Sequence, residues 1–102
     1  MLRIVEDHRT ALESLCRRFA VQRLYVFGSA ARGDFDPARS DLDFLVEFAP
    51  LPPRELARTY FGLLASLKEL FQRDIDLLTP KAIRNPYLQR SVDETRQEVY
   101  AA

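Results

Sequence analysis

With 102 residues the chain suffices for one domain with its own core, expected over residues 1–102, and its 15 Lys+Arg against 15 Asp+Glu leave no net charge to recruit nucleic acid, so no direct nucleic-acid partner is expected. A single cysteine, Cys16, excludes an intrachain disulfide and any multi-cysteine zinc site. No apolar stretch is long enough to suggest a secretory or membrane-spanning segment, so a cytoplasmic location with no membrane partner is the expectation.

Leu2, Val5, Leu12, Leu15, Cys16 and Phe19 fall near helical spacing and predict a first amphipathic helix ending near Phe19. Val21 to Phe27 is rich in β-formers and stops at Gly28, which predicts a strand running into a turn. Ser29 to Gly33 suit a short helix or turn, and residues 34–40, with Pro37 as breaker, read as a loop. Asp41 to Phe48 predicts a second strand, with Leu42, Phe44, Val46 and Phe48 on one face and Asp41, Asp43, Leu45 and Glu47 on the other.

Pro50, Pro52 and Pro53 mark the exit from that strand. Leu56, Tyr60, Leu63, Leu64, Leu67, Leu70 and Phe71 then predict a helix from about Arg54 to Phe71. Asp74 to Leu78 predicts a third, short strand. Thr79-Pro80 and Asn85-Pro86 each resemble a helix N-cap followed by proline at the first helical position. The last helix is expected from about Pro86 to Tyr100, with Leu88, Val92, Thr95 and Val99 facing inward. The order helix, strand, strand, helix, strand, helix implies an α/β (α+β) domain, a small mixed sheet packed with helices.

Two motifs carry chemistry. Glycine at 28 lets a ligand approach the backbone, and Ser29 adds a hydroxyl, so Gly28-Ser29 could cradle a phosphate. Alone, the pair is more simply a plain turn. It is neither Gly-x-Gly-x-x-Gly nor a P-loop, since no Gly-Lys-Ser/Thr follows. Asp41 and Asp43 project to one face of the predicted strand, where like charges repel unless a hard divalent cation lies between them. The competing reading is a solvated strand edge. Asp76, between Ile75 and Leu77 in a separate strand, tips the balance toward a two-metal phosphoryl-transfer site. Asp74 shares the face of Asp76 and is its rival.

Other residues have simpler readings. Asp34 and Asp36 suit turn-forming carboxylates beside Pro37. Arg32 fits either a phosphate partner or a surface arginine. His8 suits a helix boundary, Cys16 a small core side chain, and Arg17-Arg18 and residues 90–98 solvated helix faces.

With these residues in view, the chain resembles the minimal nucleotidyltransferases, the MNT (MntA-like) branch of the DNA polymerase β superfamily. The resemblance rests on Gly28-Ser29, then Asp41-x-Asp43, then Asp76 in a hydrophobic strand. It extends to Leu24-Tyr25-Val26-Phe27, Ala31-Arg32-Gly33, Asp76-Leu77-Leu78-Thr79-Pro80, Asn85-Pro86-Tyr87-Leu88 and Val99-Tyr100. The segment between Ser29 and Asp41 is a residue longer than the common pattern. The resemblance implies a polymerase β-like palm fold. It implies that Gly28 and Ser29 hold a triphosphate, with Arg32 and Ser40 in the nucleotide-binding set. Asp41, Asp43 and Asp76 would bind two Mg²⁺ ions, and Asp76 would help activate the acceptor hydroxyl. The implied reaction moves AMP from ATP to a hydroxyl, a tyrosine in such antitoxins, of a partner HEPN-domain toxin.

Once the catalytic core is assigned, no residues remain for a separate acceptor-binding domain, which favours a protein acceptor docked at the site. Two alternatives stay open at this point. One is an antitoxin that neutralises its partner by binding alone. The other is a nucleotidyltransferase acting on a small molecule.

Overall fold

The computed structural model describes residues 3–32 and 41–102. Its elements are α1 (Arg3–Asp7), α2 (Arg9–Arg18), β1 (Val21–Phe27), α3 (Ser29–Arg32), β2 (Leu42–Phe48), α4 (Pro53–Phe71), β3 (Ile75–Leu78), a 3₁₀ turn (Pro80–Ala82), α5 (Pro86–Thr95) and β4 (Gln97–Ala101). The strands form one mixed sheet in the order β3-β2-β1-β4. β1 runs antiparallel to both β2 and β4, while β3 runs parallel to β2. A parallel neighbour requires a crossover, and α4 supplies it.

Alternation along the strands divides their side chains between two cores. On one face Leu24, Val26, Leu42, Phe44, Val46, Ile75 and Leu77 pack against Val5, Leu12, Cys16, Leu63, Leu67 and Phe71 from α1, α2 and α4. On the other, Tyr25, Phe27 and Leu45 meet Val92 of α5, with Leu78, Ile83 and Leu88 beside them. This smaller core covers only part of its face, so the end of the sheet carrying Gly28 keeps an open cleft beside α5. Burial pushes the Cys16 thiol up to about 12, consistent with its expected role as a core side chain.

α4 starts after extended Pro52, with Pro53 in the first turn, and buries Leu63, Leu67 and Phe71 along one stripe. Gln72 in the left-handed region ends it, its N–H bonding the carbonyl of Lys68 at 2.9 Å. Asn85 caps α5 as expected, its side-chain oxygen accepting the N–H of Tyr87 at 2.8 Å.

The expected elements change in five places, the third strand among them, which begins at Ile75 rather than Asp74. The first helix breaks at His8, whose φ of −113° and ψ of 15° are non-helical and whose Nδ1 bonds back to the Ile4 carbonyl at 2.8 Å. Thr79 makes no side-chain cap, and only a 3₁₀ turn follows it. The second strand begins at Leu42, one residue after Asp41. The last helix stops at Thr95 rather than Tyr100. There Arg96 turns extended, and Gln97–Ala101 forms β4 on the open edge of β1. Val99 is buried either way, since its spacing from Val92 and Thr95 suits a helix as well as a strand. The unpaired N–H and C=O groups along β1 decide the matter. Leu2, Gly33, the expected loop over 34–40 and Ser40 lie outside the described residues.

Candidate active site

Gly28 follows the last residue of β1 and has a φ of +72°. The left-handed conformation favours glycine, and a Cβ built on it would meet Asp43 Oδ2 at 2.6 Å, so any side chain here displaces the carboxylate. The Gly28 carbonyl accepts the N–H groups of Ala31 at 3.1 Å and Arg32 at 3.0 Å, closing the short helix α3. Its own N–H donates to Thr95 Oγ1 at 2.9 Å, and Thr95 Oγ1 donates to the Ser91 carbonyl at 2.6 Å.

Asp43 pairs in register with Phe27 across the antiparallel ladder and with Asp76 across the parallel one. The two carboxylates therefore stand side by side on the sheet face that carries Phe27, Leu45 and Leu78. Asp43 is half-buried and Asp76 exposed. Asp43 is pushed up to about 7, first by desolvation, then by sharing a hydrogen bond with Asp76, and further by the charges of Asp76 and Asp41. Arg32 opposes the shift. Burial beside a second carboxylate thus makes the charged form of Asp43 costly in the metal-free protein.

A cleft of about 480 Å³ collects these groups. Gly28, Ser29 and Arg32 line one side, Asp43 and Asp76 its floor, and Phe27, Leu78, Leu88 and Ser91 the remainder. Of the residues singled out in the sequence, five meet here: Gly28, Ser29, Arg32, Asp43 and Asp76. Asp41 is exposed just before β2 and reaches Asp43 through its charge. Asp74 precedes β3 and contributes its backbone carbonyl to Leu42 N–H at 3.4 Å. Among the described residues no three acidic, histidine or cysteine side chains are grouped to hold a metal ion.

The fit of a cation rests on the Asp43–Asp76 pair. Its donors are carboxylate oxygens alone, the set a hard divalent ion selects, and the charge of Asp76 beside a half-buried Asp43 leaves repulsion for a cation to relieve. Cys16 lies in the larger core, and His8 rests on Phe71 with ring centroids 5.1 Å apart; neither lines the cleft. Across β3 a separate groove of about 420 Å³, bounded by Phe48, Leu56, Phe61 and Leu77, is apolar and lacks a carboxylate.

Sequence reasoning missed three residues of this site. Leu88 and Ser91 line the cleft from α5, and Thr95 binds the Gly28 turn. Leu88 and Thr95 read only as inward-facing helix positions. A bond between residues 67 apart leaves no local signal.

Known proteins share the sequence family and the fold. The family model for the nucleotidyltransferase domain covers residues 8–99. Two proteins of Methanocaldococcus jannaschii, provisionally named protein adenylyltransferases, are 32% and 33% identical over 91 residues, 89% of this chain and 86% of theirs. A solved structure provisionally named a minimal nucleotidyltransferase aligns with a TM-score of 0.75 at 30% identity, covering 94% of this chain and 93% of that one. The fold is also that of an MNT antitoxin solved in complex with a tri-AMPylated Shewanella oneidensis HEPN toxin. That alignment has a TM-score of 0.63 at 19% identity and covers 95% of this chain and 72% of the other.

Proposed function

Because this chain belongs to the nucleotidyltransferase domain family, we propose that it transfers AMP from ATP to a hydroxyl, a tyrosine first of all, of a HEPN-type toxin whose antitoxin it is. The observation that carries this reading is Asp43 and Asp76 in register beneath the Gly28 turn. The adenylyltransferase names of the relatives and the AMPylated toxin bound to an antitoxin of the same fold support the acceptor class.

In the proposed step the acceptor hydroxyl oxygen attacks the α-phosphorus of ATP. The bond from that phosphorus to the pyrophosphate oxygen breaks, pyrophosphate leaves, and the hydroxyl loses its proton. Asp43 and Asp76, with Asp41 at the rim, would hold Mg²⁺, which when bound neutralises charge on the phosphate oxygens. Gly28 leaves room for the triphosphate to approach the turn, Ser29 holds it in line, and Arg32 binds a phosphate oxygen. Asp76, the more exposed of the pair, receives the acceptor proton.

The test is mass spectrometry of the toxin encoded beside this chain after incubation with ATP and Mg²⁺. AMP adducts on a hydroxyl residue are expected with the wild type and none with Asp43→Ala. In cells the same variant should fail to protect against the toxin. Full protection by Asp43→Ala at normal expression would overturn catalysis and leave stoichiometric binding as the mode of neutralisation.

A further inference from the structure

We propose that Thr95 is a positioning residue that holds the Gly28–Ser29 turn in place for the nucleotide; this rests on the nucleotide-transfer function proposed above. The hydroxyl of threonine has one proton and two lone pairs. Here the proton goes to the Ser91 carbonyl at 2.6 Å, a common arrangement for threonine within a helix. Spending it there turns a lone pair toward the Gly28 N–H at 2.9 Å. The hydroxyl therefore relays between the last turn of α5 and the turn that ends β1.

The position of that turn matters more than that of an ordinary loop. Gly28 sits in a left-handed conformation against the Asp43 carboxylate. A small shift of the turn would change the space above Asp43 and the direction in which Ser29 faces the cleft. With its N–H engaged by Thr95, Gly28 shapes the site rather than donating to a phosphate. A second bond from the same C-terminal segment reinforces the first: Gln97 Nε2 donates to the Ala31 carbonyl at 3.3 Å. Thus Thr95 grips the residue before α3 and Gln97 a residue within it. Leu88 and Ser91, on the same helix as Thr95, line the cleft, so the bond couples one wall of the cleft to its phosphate side.

The test compares wild type, Thr95→Val, which keeps the shape and loses both hydrogen bonds, and Thr95→Ser, which keeps the hydroxyl. All three are studied well below their unfolding midpoints, with stability measured separately. Binding of a non-hydrolysable ATP analogue with Mg²⁺ is read by calorimetry, and exchange of the Gly28 amide by NMR. Thr95→Val is expected to bind about 3–10-fold more weakly, the worth of one such hydrogen bond, and to exchange the Gly28 amide faster. Thr95→Ser should match the wild type in both. If the wild type binds the nucleotide and Thr95→Val binds it equally well, Thr95 is merely structural and the proposal is overturned, whatever the stability change. Equal weakening by Ser and Val would overturn it as well, since the hydroxyl would not be the cause. A wild type that binds no nucleotide overturns the proposed function itself, and with it this role.

Discussion

The Asp43 carboxylate occupies the space into which a side chain on Gly28 would grow, with Oδ2 2.6 Å from the ideal Cβ position. Gly28→Ala therefore faces two penalties, a left-handed backbone and a contact with a charged group. Expected is a stability loss of about 1–3 kcal/mol by urea denaturation. In an Asp43→Ala background the contact vanishes and only the backbone penalty remains, so the loss should shrink. An equal loss in both backgrounds would show that the contact contributes nothing.

A second expectation concerns pH in the metal-free protein. Asp43 rises from an ordinary 3.8 to about 7 in the folded chain. Between those values the folded state keeps a proton that the unfolded state has lost, so stability falls as pH rises through this window and levels off above it. Asp43→Asn should flatten the slope and leave the protein more stable than wild type at pH 8. Thermal midpoints recorded from pH 4 to 8 without divalent ions check this; parallel curves for the two proteins would contradict it.

Ligand should reverse that instability. With Mg²⁺ and ATP at a hundredfold excess over the dissociation constant, stabilisation of about 2.7 kcal/mol is expected. Asp43→Asn should lose most of it. Asp41→Asn, exposed and outside the paired carboxylates, should lose part. Equal shifts for wild type and Asp41→Asn in a melting series would remove Asp41 from the metal-binding set.

Tyr60 tests how the edge strand is held. Its hydroxyl on α4 donates to the carbonyl of Leu77 at 2.5 Å, next to Asp76. Tyr60→Phe should cost about 1 kcal/mol and lower the melting temperature by about 4–8 °C. Hydrogen exchange should quicken first in β3. Faster exchange spread evenly over the sheet would show that Tyr60 does not anchor that strand in particular.

The central elements were legible because each carries a local signal. β1 is rich in β-formers and stops at a glycine, β2 alternates and α4 repeats at helical spacing, and their bounds moved by one residue at most. Asp43, Asp76 and Gly28 could be named because acids in apolar strands and a glycine after one are locally conspicuous. Residues 97–101 were misread because a strand added at an edge is decided by the partner's unpaired groups, which no local window contains. Thr95 was hidden for the same reason. Its hydroxyl acts on a turn far away in sequence, while its immediate neighbours announce only a helix. The break at His8 accompanies a bond from its imidazole back to the Ile4 carbonyl, which the apolar spacing on either side does not announce.

The parallel pairing of β2 with β3 spreads the site's parts along the chain. Gly28 and Asp43 lie in the local β1–β2 pair, whereas Asp76 lies beyond the α4 crossover and Thr95 further still along the sequence. During synthesis, a chain that has emerged only as far as Phe71 has the turn and one carboxylate but neither of their partners. The cleft cannot be complete until Thr95 and β4 are in place, so a fragment that stops short of them has an open sheet edge and no assembled site.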